Sequence, residues 1–142
     1  MTSDASRLSA EIELSPAFHD LDPMNVVWHG RYVQYIELAR CELLRRFDYD
    51  YPQMRDSGFA WPVVDLRLRY VRPLLYGARV RVRATIVEWD NRLKIDYEIR
   101  DCASGERLTR GCTVQVAVEI ASGEMRYVCP DVLLERLGLE RT

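Results

Sequence analysis

Apolar and polar residues alternate along LSAEIEL, residues 8–14, which predicts a strand limited by Pro16. The next segment, HDLDPMN, is rich in Asp, Pro and Asn and reads as a loop. From His29 to Phe47 the period lengthens. Val33, Ile36, Ala39, Leu43 and Phe47 recur three to four residues apart, which predicts a long helix with one buried face. YDYPQMRDSGF then reads as a connection broken by Pro52 and Gly58. Beyond it the period returns to two. Strands are predicted at 61–71, 78–89, 92–101 and 107–120, and three of them alternate Arg, Lys or Asp with Val, Leu or Ile, as in an antiparallel sheet wet on one face. Asp90-Asn91, Ser104-Gly105 and Ser122-Gly123 mark turns, EMRYV a short last strand, and PDVLLERLGL a helix begun by proline. A strand, a long helix and then four or five antiparallel strands make an α+β chain whose apolar sheet face is left to wrap the helix.

Length and composition keep this to one domain, residues 1–142, with 48% hydrophobic residues to supply its core. The 20 basic and 22 acidic side chains give a net charge of −2, so no overall positive field draws nucleic acid or an anionic membrane. Any anionic ligand needs a local basic cluster. Cys41, Cys102, Cys112 and Cys129 show neither CxxC spacing nor a Cys/His ladder, which argues against zinc and a redox pair and for buried, reduced thiols. MTSDASRLSA lacks a basic region followed by an apolar run, and no apolar stretch nears the ~20 residues of a membrane span. The expectation is a cytoplasmic protein without membrane insertion.

Chemistry concentrates in HDLDPMNVVWHG, where Asp20 and Asp22 lie between the two histidines of the chain, His19 and His29. Three readings fit. Both carboxylates can be turn-formers, a role that suits Asp20 taken alone. The two acids and two histidines can form a metal site, although one loop without a recognised ligand spacing is thin support and no metal is expected. Alternatively, Asp22 is a catalytic carboxylate facing the start of the helix near His29 and Gly30. There the first N–H groups lack partners within the helix and can hold a developing oxyanion. A carboxylate beside such a site suits acyl transfer, as nucleophile or as base for water. Gly30 would let a ligand approach the backbone closely.

DLDPMNVVWHGRYVQYIELAR resembles the signature loop and helix of the 4-hydroxybenzoyl-CoA thioesterase family, within the hotdog-fold acyl-thioester hydrolases. The matching residues are Asp20, Asp22, Val27, Trp28, Tyr32, Tyr35, Glu37 and Arg40. The resemblance implies a hotdog fold, one antiparallel sheet wrapped around a long central helix. It implies Asp22 as the catalytic carboxylate and the His29 backbone N–H as the group that polarises the thioester carbonyl. Where many members have Gly, this chain has Met24 and Asn25. Asn25 can take the positive φ that Gly allows, and its side chain then narrows or decorates the acyl pocket. Glu37 and Arg40 share a helix face as a structural pair.

Trp28, Tyr32 and Trp61 fit an acyl pocket or the core equally well. Relatives hold the coenzyme A phosphates with basic residues after an EW pair, which here implies Arg92 and Lys94, although Asp90 and Asn91 replace positions that can be basic. That leaves room for an acyl-carrier-protein substrate beside acyl-CoA. The expected reaction is thioester hydrolysis without a cofactor, by a homo-oligomer (a dimer or dimer of dimers) with sites at subunit interfaces. A hotdog hydratase/dehydratase and a non-catalytic acyl-binding subunit are the alternatives.

Overall fold

Seven strands and three helices form in the computed structural model, which describes residues 7–141. The first six residues, included above in the N-terminus read as lacking a leader, lie outside the described residues, as does Thr142. Strand β1 is Ser9–Leu14, helix α1 Arg31–Arg45, and helix α2 Tyr51–Asp56. There follow β2 (Phe59–Ala60), β3 (Val63–Tyr70), β4 (Val80–Glu88), β5 (Leu93–Asp101), β6 (Arg107–Gln115), β7 (Val118–Glu119) and helix α3 (Asp131–Leu137). Five strands make one antiparallel sheet in the order β1-β4-β5-β6-β3, so β3 is an edge although it comes second of the five in the chain.

The period-two pattern does the work the sequence assigns to it in β4 and β5. Val80, Val82, Ala84 and Ile86, with Leu93, Ile95, Tyr97 and Ile99, are buried on one face, while the arginines between the β4 residues stay in water. Helix α1 lies on that face, packed against β1 and β4, with Tyr32, Tyr35, Ile36, Ala39, Leu43 and Leu44 buried. These residues share one core cluster. The predicted antiparallel sheet around a long helix is therefore the observed fold.

The boundaries differ for local reasons. Helix α1 starts two residues later than predicted, with Gly30 as its N-cap, and it ends where Asp48 takes a left-handed φ of 54° and the Tyr49 N–H returns to the Leu44 carbonyl at 3.0 Å. YDYPQMRDSGF, expected as a connection, holds α2 instead. The Asp50 carboxylate caps the Tyr51 N–H at 2.8 Å, the Asp50 N–H reaches Gln53 Oε1 at 3.1 Å, and Pro52 sits in the first turn, where it starts a helix rather than breaking one. The predicted strand 107–120 divides into β6 and β7, and proline at position 62 offers no N–H to continue the ladder beyond Val63. EMRYV forms no strand; Met125 makes only an isolated bridge with Val118, and β7 pairs with β2.

Candidate active site

Between β1 and α1 the chain makes a single-turn 3-10 helix, Phe18–Asp20, and then a narrow loop closed by a bridge between Leu21 and Val27. The Asp22 N–H bonds the Val26 carbonyl at 2.8 Å, and Asp22 Oδ1 accepts the N–H groups of Met24 at 2.8 Å and Val26 at 3.4 Å. Asp22 is thus a turn-former through one oxygen. Oδ2 has no partner among the described residues, and the carboxylate is half-buried. Asn25 holds φ at 64°, the left-handed conformation expected of it, with its side chain exposed. The loop is pinned from outside by the segment after β3: the Val27 N–H meets the Leu74 carbonyl at 2.9 Å, and Val26 bridges Leu75.

At the far end of the loop the Arg31 N–H folds back to the Trp28 carbonyl at 2.9 Å, while the N–H groups of His29 and Gly30 have no partner among the described residues. Tyr70 Oη, on edge strand β3, donates to the His29 carbonyl at 3.0 Å. Because that carbonyl and the Gly30 N–H share one trans peptide, fixing the first aims the second the opposite way. Tyr32, in the first turn of α1, is buried. Burial raises its hydroxyl pKa, and the charge of Asp22 adds a smaller rise.

Two expectations change here. The space on the Cβ side of Gly30 is filled: a Cβ there would lie 2.3 Å from Trp28 Cζ3, so on that side the absent side chain makes room for the Trp28 indole, and only the N–H side is left for a ligand. Trp28 itself is 48% exposed and packs on the His29 ring at 5.1 Å. Asp20, taken alone as a turn-former, is 6% exposed and accepts Tyr35 Oη at 2.5 Å and the Ala17 N–H at 2.9 Å. Burial opposes its charge, but those hydrogen bonds, with His19 and Arg31 nearby, hold its pKa below the usual carboxylate value. No three His, Cys, Asp or Glu side chains among the described residues gather as a metal ion would need, so His19, Asp20, Asp22 and His29 do not form a ligand set.

The other predicted site residues divide by place. Val27 and Tyr32 are core residues, Tyr32 taking the Leu74 N–H at 3.1 Å and packing edge-on against Tyr70. Trp61 is buried beyond the other end of β3, bonded to Tyr49 Oη at 3.2 Å. It lines an apolar cavity of about 480 Å³ with Cys41, Leu44, Met54 and Phe59. Lys94 and Arg92 lie at that same end, since Leu93 pairs with Gln115 and Gln115 with Val63, and the Arg92 guanidinium is held by Glu88 at 2.6 Å. Within one chain, then, the loop of Asp22 and His29 meets Tyr70, and Trp61, Arg92 and Lys94 lie at the opposite end of the strands, the cavity beside Trp61 being lined by neither basic residue. Tyr35 and Tyr70 were not singled out as site residues in the sequence. Their partners lie 15 and 41 positions off, and no local pattern carries such a contact.

With this geometry in place, comparison finds relatives. The sequence profile of the thioesterase-like superfamily matches residues 16–137. A protein of Synechocystis sp., assigned provisionally as an esterase, is 33% identical over 120 residues, covering 84% of this chain and 72% of its own. The crystal structure of DHNA-CoA thioesterase from Staphylococcus aureus superposes with a TM-score of 0.76 at 25% identity, over 84% of this chain and 80% of that one. A 4-hydroxybenzoyl-CoA thioesterase variant solved with 4-hydroxybenzoyl-CoA shares the fold at a TM-score of 0.79 and 16% identity, over 92% and 99%.

Proposed function

The chain belongs to the thioesterase-like superfamily and is a hotdog-fold acyl-CoA thioesterase, and on that premise we propose that Asp22 and the backbone N–H of His29 carry out the hydrolysis. Asp22 attacks the thioester carbonyl carbon or takes a proton from the water that does. The carbonyl oxygen gathers charge toward the His29 and Gly30 N–H groups and the thiolate leaves; attack by water gives the free acid directly, whereas attack by Asp22 gives an acyl–Asp22 anhydride that water then cleaves to the free acid, restoring the carboxylate. One observation carries this reading: among the described residues, a carboxylate oxygen of Asp22 without a partner and the unpartnered N–H groups of His29 and Gly30 stand on one short segment, Asp22 in the loop that the Leu21–Val27 bridge closes and the two N–H groups just beyond it at the start of α1.

The rest of the site comes from a second copy. Strand β3 is an open edge with Val64 57% and Leu66 40% exposed, an apolar strip that a partner strand would cover. Pairing two β3 strands antiparallel about their middle sets the Val63 end of one beside the Tyr70 end of the other. The seven steps from Val63 to Tyr70, at ~3.4 Å each, separate those ends by roughly 24 Å within one chain, and the pairing brings them together across the dyad. The cavity behind Trp61 in one copy then receives the acyl group, with Asn25 and Trp28 of the other bounding the entrance. Lys94 and Arg92, the latter only if it leaves Glu88, lie on the side where the coenzyme A phosphates would run. The unit is one domain working as a homodimer or dimer of dimers, on acyl-CoA before acyl-carrier protein.

No helix among the described residues is long and apolar enough to cross a membrane. All four cysteines are free, which supports a reducing, cytoplasmic setting. The test is a panel of aryl, short, medium and long acyl thioesters on coenzyme A and on carrier protein, reading released thiol. Turnover of at least one coenzyme A thioester is expected. Water addition to an enoyl thioester without thiol release, or binding without turnover across the panel, contradicts the reading.

A further inference from the structure

We infer that Asp20 is a positioning residue for this reaction, its buried carboxylate and its carbonyl together holding the Trp28–His29 turn in the setting from which the His29 N–H meets the substrate. The inference rests on the assignment of Asp22 and His29 above and adds a residue that touches neither substrate nor reacting atoms. Three pieces of the chain meet at Asp20. Its Oδ2 accepts Tyr35 Oη at 2.5 Å, one turn into α1, and the Ala17 N–H at 2.9 Å, at the entry to the loop. Its Oδ1 faces Arg31 Nε at 3.5 Å and His19 Nε2 at 3.6 Å. Its backbone carbonyl accepts the Trp28 N–H at 2.8 Å, one residue before the proposed oxyanion donor.

A residue that only forms a turn bonds its own neighbours and faces water, as Asp22 does through Oδ1. Asp20 instead spends its carboxylate on a helix 15 residues away and is buried. The helix supplies the dipole and the loop supplies the N–H, and Asp20 is the tie that fixes one against the other. Tyr70 secures the same turn from the sheet side through the His29 carbonyl, so the turn is clamped from two directions. Without the carboxylate, the Tyr35 hydroxyl loses its acceptor in a buried place and the clamp opens on one side.

Three variants test this: Asp20→Ala, Asp20→Asn and Tyr35→Phe, each assayed for kcat and KM with melting temperature and oligomer size as controls. Asp20→Ala is expected to lower kcat ~10- to 100-fold, the scale of a misplacement on the order of 1 Å, with KM within about threefold because substrate is held elsewhere. Asp20→Asn should recover most of that loss, since a carboxamide oxygen still accepts from Tyr35 and Ala17. Tyr35→Phe, which removes one hydroxyl, should lower kcat in the same direction, and adding it to Asp20→Ala should cost little more. Asp20→Ala with kcat near wild type, Asp20→Asn as poor as Asp20→Ala, or a kcat loss that follows melting temperature alone would overturn the inference. If Asp20→Ala fails to fold, Tyr35→Phe decides: unchanged kcat overturns the inference and lowered kcat at unchanged KM supports it. Asp22→Asn run alongside separates the two claims, because an inactive Asp22→Asn with an active Asp20→Ala removes only the positioning role, whereas an active Asp22→Asn removes the site itself.

Discussion

At Gly30 a single added methyl group would lie 2.3 Å from the Trp28 indole, so this position couples the helix start to an exposed aromatic ring. Gly30→Ala is expected to push the indole off the His29 ring, shifting tryptophan fluorescence and lowering kcat/KM about tenfold through a disturbed turn. The pair Gly30→Ala with Trp28→Ala should behave as Trp28→Ala alone; an unchanged emission spectrum in Gly30→Ala would contradict the coupling. Asp20 makes a second residue-scale prediction. Its folded pKa lies below the ordinary 3.8, despite burial, because of Tyr35, the Ala17 N–H, His19 and Arg31. A depressed carboxylate contributes stability that is present above its unfolded pKa and is lost as pH falls through the folded one. Denaturant midpoints should therefore fall more steeply below pH 4 in wild type than in Asp20→Asn, and parallel curves would count against it. What the sequence displayed at this scale was adjacency: Asp22, His29 and the positive φ of Asn25 follow from neighbours in the chain. The burial of Asp20 did not, because its partners Tyr35 and Arg31 are brought to it by the helix.

Among elements, α1 and the strands β4 and β5 were legible because their periods are regular over 9 residues or more and each buries one face. Helix α2 was not, since a proline and a glycine within ten residues read as punctuation until the capping carboxylate of Asp50 is seen to precede them. Asp50→Ala should cost about 1 kcal/mol of unfolding free energy, the usual value of an N-cap, measured by urea titration; no change in midpoint would show that α2 is held by Met54 packing alone. The division of 107–120 and the pairing of β7 with β2 were equally hidden. Strand ends are set by which neighbour can supply an N–H, and Pro62 cannot.

For the whole molecule, the order β1-β4-β5-β6-β3 leaves the strand that carries Tyr70 at an edge, with the predicted site residues sorted to its two ends. Read along the chain, Trp61 and Arg92 were separate candidates. In the fold they lie at one end and Asp22 at the other, which is why the proposed site calls for a second copy. Leu66→Asp places a charge in the exposed strip of β3 and should yield monomers by light scattering with thiol release down at least tenfold. A fully active monomer would remove the shared site. The account as a whole stands on one carboxylate, and its most direct measurement is kcat of Asp22→Asn against the best thioester in the panel, in protein whose melting temperature and oligomer size match wild type. Asn keeps the volume and the oxygen that accepts Met24 but removes the ionised oxygen that attacks or takes a proton, so turnover should fall ~100-fold or more. Turnover near the wild-type rate would contradict the assignment.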